Sequence, residues 1–162
     1  MFENFFLPVI SATLATFGFS VAFNIRGKNL IIATLCGTFS WIIYLICDHF
    51  SNSVMMPYFV CGVSIALYSE IAAYIFRSPA TIFLMSGFIP SVPGSAIYRA
   101  MESCLFGDVP GFVEGLVNTL KIGGAIALGL ILMSSFFRLF RGALQRVIQN
   151  QKEAYASFLF CI

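Results

Sequence analysis

Ionisable side chains are spaced so widely along this chain that five of the stretches between them approach the thickness of a lipid bilayer. Twenty-two uncharged residues separate Glu3 from Arg26, 19 separate Lys28 from Asp48, 21 separate Asp48 from Glu70, 21 separate Arg77 from Arg99, and 16 separate Lys121 from Arg138. A helix needs about 20 mostly apolar residues to cross the hydrocarbon layer, so spans are expected near 5–25, 30–47, 55–76, 81–105 and 116–137. The first is too long, and followed by too many others, to read as a cleaved signal peptide. Composition agrees: hydrophobic residues make up 59% of the chain and charged residues 10%, where a soluble domain carries about a quarter charged. The ionic side chains are too few to cover a soluble globule of this size. The short alternating segments of a lipid-facing barrel are missing. The fold class is therefore all-α, a polytopic helical membrane bundle over 1–138 with about five spans.

Lysine and arginine are retained on the cytoplasmic side, and this sets the orientation. With the N-terminus outside, Arg26, Lys28, Arg77, Arg138, Arg141, Arg146 and Lys152 fall inside, against Arg99 and Lys121 near the outer face. The expected topology is N-terminus out and C-terminus in, in the cytoplasmic (inner) membrane. Residues 139–162 follow as a basic amphipathic tail, with Leu144, Val147, Ile148 and Tyr155 on one helical face. Such a helix suits either an anionic membrane surface or a partner subunit. The net charge concentrates in that tail and the chain lacks a basic-aromatic surface, so nucleic acid is not an expected partner. Cys36, Cys47, Cys61, Cys104 and Cys161 lack CxxC spacing, and His49 is the single histidine. The thiols read as small packed hydrophobes, with no metal and no cofactor expected.

Two features inside the spans point to chemistry. Glu70 lies fifteen residues beyond Met55, which places it about 7–8 Å to the cytoplasmic side of the midplane at ~1.5 Å per residue. A carboxylate at that depth must be paired, hydrated or protonated, and such groups mark ion pathways and proton relays; an internal salt bridge or hydrogen bond is the plainer alternative. The fourth span reads TIFLMSGFIPSVPGSAIYRAMESCL, with Pro90, Pro93 and Gly94 at its centre. Each proline removes a backbone donor and clashes with the preceding turn, so the helix is expected to break near mid-membrane. Irregular backbone at that depth is tolerated only against protein or a water-filled cavity, and transporters build solute sites from such breaks. Pro90, Ser91, Pro93, Gly94, Ser95 and Tyr98 are the candidate substrate contacts. Arg99 is the candidate for a bidentate grip on a carboxylate.

Around these, Arg99 and Glu102, and likewise Asn118 and Lys121, stand three residues apart on their helices, close enough to pair. Lys121 and Glu114 can equally snorkel to the interface, so Asn118 and Lys121 are supporting candidates only. Small residues four apart, Gly18 with Ala22 and Gly123 with Ala127, are explained by close helix packing. A membrane-embedded enzyme has little to stand on, because HExxH, GxSxG and cofactor fingerprints are absent. A non-transporting scaffold or assembly subunit is the stronger competitor.

The run SEIAAYIFRSPATIFLMSGFIPSVPGSAIY at 69–98, with its IPxVPGxxxY core, and GFSVAFN at 18–24 resemble the threonine/serine exporter family, in particular its C-terminal half or stand-alone small subunit, over roughly residues 8–137. That resemblance implies a proton-coupled secondary efflux carrier for threonine- or serine-like amino acids, or for a dicarboxylate such as succinate. It also implies an obligatory larger membrane subunit of the same family. Association with further copies of this chain is a second arrangement, since five spans are few for a complete carrier. The sequence departs from many relatives at Tyr74, where they carry a basic residue four positions after the glutamate.

Overall fold

The computed structural model describes residues 2–51 and 53–160, with side chains described over 6–51 and 53–140. Helices follow one another throughout: α1 (Phe2–Ala22), α2 (Lys28–Phe50), α3 (Met55–Phe76), α4 (Ala80–Phe88), a single 3-10 turn over Ile89–Ser91, α5 (Gly94–Leu105) and α6 (Val109–Phe160). Among the described residues there is no strand. The helices end where the sequence supplies residues suited to left-handed or restricted backbone. Asn24 and Gly27 take positive φ between α1 and α2, and Arg77, with φ 51°, closes α3 just before Pro79. Asn29 Nδ2 donates to Ser78 Oγ at 2.9 Å, which ties these two connections together at one end of the bundle.

By length and apolarity α2, α3 and Val109–Phe140 can each cross a membrane, and α4 with its 3-10 turn plus α5 make a further span if the bent pair is taken together. Phe6–Ala22 is a shorter apolar helix. Among the described residues three helices, or four if the bent pair is one span, are long and apolar enough to cross, beside the five expected from charge spacing; the first stretch is helical over all 21 residues of Phe2–Ala22. α6 runs for 52 residues, about 78 Å at 1.5 Å per residue, and its backbone has no break at 138, where span and tail meet. The amphipathic reading of the tail rests on side chains from 141 onward, which lie outside the described residues.

α3 holds the bundle together, packing on α2, α4 and α6, while α1 lies against α2. What it buries reverses the pattern of a soluble protein. Among the largest fully buried side chains only Phe83 and Ile65 are large and apolar; Thr16, Ser20, Ser40, Ser69, Ser86 and Ser91 are hydroxylic, and Cys36 and Cys61 are thiols. Phe, Leu and Ile side chains such as Leu14, Phe17, Ile31, Leu120, Leu128 and Ile131 face outward. Lipid is as apolar as leucine, so close approach of small residues replaces the hydrophobic effect as the source of helix association. Ser20 Oγ has no partner among the described residues, and Ser69 and Ser91 meet the thiols of Cys36 and Cys61; the other hydroxyls bond back to their own helices, Thr16 to Ala12 O and Ser40 to Cys36 O at 2.7 Å, Ser86 to Ile82 O at 3.2 Å. That satisfies them without water.

The tightest crossing is α3 on α6. A Cβ at Gly62 would stand 2.6 Å from Ile126 O, and one at Gly129 would stand 2.5 Å from Phe59 O. Both obstacles are backbone, which cannot rotate aside. Gly62→Ala should therefore lower stability by about 1–3 kcal/mol, the range for overpacking. Gly123→Ala, at a position with no atom within 4 Å of its Cβ, should leave stability intact. Unfolding in mixed detergent micelles checks this, and equal curves for the two variants would contradict the crossing described.

Candidate functional site

The PxxPG segment interrupts the fourth helical stretch, with Ser91 buried, Pro90 and Pro93 half-buried, and Val92 and Gly94 exposed. α4 hands over to the 3-10 turn at Ile89, Val92 is extended with ψ 127°, and α5 restarts at Gly94 on an axis bent by 51°. The prolines explain this locally, because neither Pro90 nor Pro93 can donate to the preceding turn. The turn closes on itself through Val92 N to Ile89 O at 3.3 Å and Gly94 N to Val92 O at 2.7 Å. A new helix leaves its first amides without intrahelical partners. In α5, Ile97 N takes Pro93 O at 3.1 Å, while no backbone carbonyl closes on the amides of Ser95 and Ala96 among the described residues.

The break is held from the inside by a short relay of thiol and hydroxyl groups. Ser91 is 1% exposed, and its Oγ lies 3.1 Å from Cys61 Sγ on α3. The Cys61 thiol donates to Ser40 O on α2 at 3.4 Å. A thiol has one proton, so Ser91 O–H is the donor to the sulfur. One turn of α2 further along, Cys36 Sγ meets Ser69 Oγ at 3.9 Å. α2, α3 and the 3-10 turn thus meet in a layer of small polar side chains, with Tyr44, Tyr68, Leu84 and Phe88 packed around the buried Cys36, Cys61 and Ile65.

The expected site residues separate into groups. Ser91 points into this layer, and Pro90 and Pro93 are half-buried beside it. Gly94, Ser95, Tyr98 and Arg99 face outward on α5, which has left the bundle core and packs chiefly on α6 through Ala100 against Gly115. Arg99 and Ser95 share one outer flank of α5, four residues apart. Asn118 and Lys121 also face outward on α6, and Lys121 borders an apolar groove of about 400 Å³ lined by Met55, Met56, Phe59 and Leu128. Glu70 is half-buried on α3, nine residues beyond Cys61 and so about 13 Å along the helix axis from the break. The described residues place the carboxylate and the broken segment on the same helix bundle at different depths. Among the described residues, no three His, Cys, Asp or Glu side chains gather as a metal ion would need.

Ser40 and Cys61 were not distinguishable as site residues from the sequence, where the cysteines read as inert filler. The signal that could have found them is spacing. Cys36 and Ser40 lie four apart, and so do Cys61 and Ile65, which puts each pair on a single helical face. Cys61→Val removes the one partner of the buried Ser91 hydroxyl, a loss expected to cost about 1–3 kcal/mol, whereas Cys61→Ser retains a polar atom at that place. Detergent unfolding should rank wild type and Cys61→Ser together above Cys61→Val; no difference between the two variants would mean that the contact holds nothing.

The family model described as Threonine/Serine exporter, ThrE, matches residues 8–136. No solved structure matches the chain.

Proposed function

Because this chain belongs to the threonine/serine exporter family, we propose that it is the small membrane subunit of a two-component, proton-coupled secondary carrier. It would export small polar metabolites, threonine- or serine-like amino acids or a dicarboxylate such as succinate, across the cytoplasmic membrane. The larger subunit of the same family supplies the second half. In this reading the chain makes five passes, N-terminus out and C-terminus in.

The observation that carries the proposal is the 51° break at Ser91–Gly94, set against a buried layer of Ser and Cys side chains. Main-chain groups freed inside a bilayer need partners, and a passing solute with hydroxyl, ammonium and carboxylate groups can be one. Ser91 and the backbone of Pro90 to Gly94 contact the solute from the bundle side. Ser95 and the open amides at the start of α5 meet it from the other, with Tyr98 and Arg99 one turn further along. Asn118 and Lys121 support that outer half. α4 and α5 pack on different neighbours, so the segment can flex at the break and expose the solute to one side of the membrane at a time. Glu70 couples the cycle to protons: a carboxylate crosses low-dielectric surroundings far more readily neutral than charged, so protonation on one side and release on the other bias the change. The separation of about 13 Å makes this coupling conformational, through α3, and not a direct contact with solute.

Efflux from cells loaded with labelled threonine, with the larger subunit co-expressed, tests the proposal. Glu70→Gln should abolish gradient-driven export, and Gly94→Leu, at a position with open space around its Cβ, should slow export while leaving insertion normal. Wild-type rates in both variants would overturn the mechanism. A scaffold or assembly subunit is favoured instead if the substitutions change recovery of the complex and leave flux per complex untouched.

A further inference from the structure

The chain's single tryptophan, Trp41, follows Ser40, whose carbonyl receives the Cys61 thiol. Its ring stacks on Tyr44 at 4.7 Å between centroids with 19° between planes, and Tyr44 in turn meets Tyr58 of α3 at 4.7 Å. Tyr58 precedes Cys61 by three residues, about one helical turn, and Tyr44 packs on the cluster that contains Cys61. The three rings therefore form an aromatic cluster beside the Ser40–Cys61–Ser91 layer, with Tyr44 and Tyr58 about one turn from it toward the α2–α3 connection. Gly37 lies against Thr16 of α1, and Thr38 Oγ1 lies 3.0 Å from Thr13 Oγ1. Trp41, one turn beyond both, is on the flank of α2 turned to α1, and the 3-10 turn packs against these same two helices.

Within this cluster one group is unsatisfied. Trp41 Nε1 is buried and has no hydrogen-bond partner among the described residues. An indole N–H can only donate, and a buried donor without an acceptor is destabilising, more so where hydrocarbon surrounds the protein. Most hydroxyls of this interior find acceptors within their own helices or meet neighbouring thiols, and Ser20 Oγ is the other buried group without a partner among the described residues. The indole of Trp41 takes neither course, which leaves Nε1 open to an acceptor that arrives.

We propose that Trp41, Tyr44 and Tyr58 form a solute subsite selective for a small amino-acid zwitterion over a dicarboxylate, a proposal that rests on the export reading above. Trp41 Nε1 donates to the carboxylate, a charge-assisted bond stronger than one to a neutral acceptor. The faces of Tyr44 and Tyr58 take the ammonium through their ring quadrupoles. A dicarboxylate satisfies the first contact and meets only π-faces with the second. Asp48, four residues on from Tyr44 and so on the same face of α2, repels that second negative charge. Nε1 is buried in this arrangement, so the donor is offered when the helices around it part.

Having one tryptophan makes the test direct, because fluorescence excited at the red edge of the indole band, where tyrosine does not absorb, reports on this ring alone in the purified full chain in lipid nanodiscs. Titration with L-threonine should give a saturable emission change, and succinate at equal ionic strength should give none. Tyr44→Leu should remove the threonine response and Tyr44→Phe, which keeps the ring face, should retain it. In the export assay with the larger subunit, Trp41→Phe should raise KM for threonine about tenfold or more, the loss typical of a hydrogen bond to a charged group, with maximal rate unchanged. No threonine response, or an equal response to succinate, overturns the subsite. So does an unchanged KM in Trp41→Phe while wild type exports threonine, a result that leaves the export reading standing. A threonine-selective response in a protein whose cells export nothing keeps the subsite and removes the export reading.

Discussion

Inside a bilayer a backbone amide or carbonyl has no water to bond with, and every helix end or irregular turn must find its partners in protein or in something the protein admits. The whole arrangement of this chain follows from that constraint. Its outer surface is rich in Phe, Leu and Ile, which lipid accepts, and its interior is mostly small, with Ala, Ser, Thr, Cys and Gly around a few larger side chains such as Ile65 and Phe83. These residues let α2, α3, α4 and α6 approach closely and settle their own hydroxyls on neighbouring carbonyls. The 3-10 turn at Ile89–Ser91 can lie deep in the bundle because that interior offers it polar contacts, Cys61 above all. An interior of leucine would have left the Ser91 hydroxyl stranded.

The same constraint gives the break its consequences. α4 stays with α2 and α3, whereas α5 departs by 51° to lie along α6. One segment is thereby fastened to two different parts of the molecule, and its two prolines make the joint between them the weakest point of its backbone bonding. α3 touches α2, α4 and α6 alike and also carries Glu70. Glu70 and Cys61, whose sulfur meets Ser91 at the break, therefore lie on one helix, about 13 Å apart along its axis.

Much of the architecture was legible from the spacing of charges and from helix-breaking residues. The interruption near Pro90–Gly94 was expected on steric grounds, and it is where the helix axis turns. The distribution of the candidate residues about it was not. Ser91 faces inward and Ser95, Tyr98 and Arg99 face outward because the bend rotates α5 away from the bundle, a rotation that no periodicity in SVPGSAIYR encodes. Ser40, Cys61 and Trp41 escaped notice for another reason. In a membrane protein both lipid-facing and buried positions are apolar or small, so the contrast that identifies a core face in a soluble helix is weak.

The sequence by itself determined that this chain is a helical membrane protein, where its long helices lie and where the fourth stretch must break, because the cost of charge in hydrocarbon and the missing amide of proline are local properties of residues. Tertiary structure alone decided which small polar side chains meet across helices, which side of the break each candidate residue faces, and that Nε1 of the half-buried Trp41 ends up covered without an acceptor among the described residues. Those outcomes depend on how helices rotate and tilt against one another, and in lipid that is set by the fit of many small contacts spread over the whole bundle.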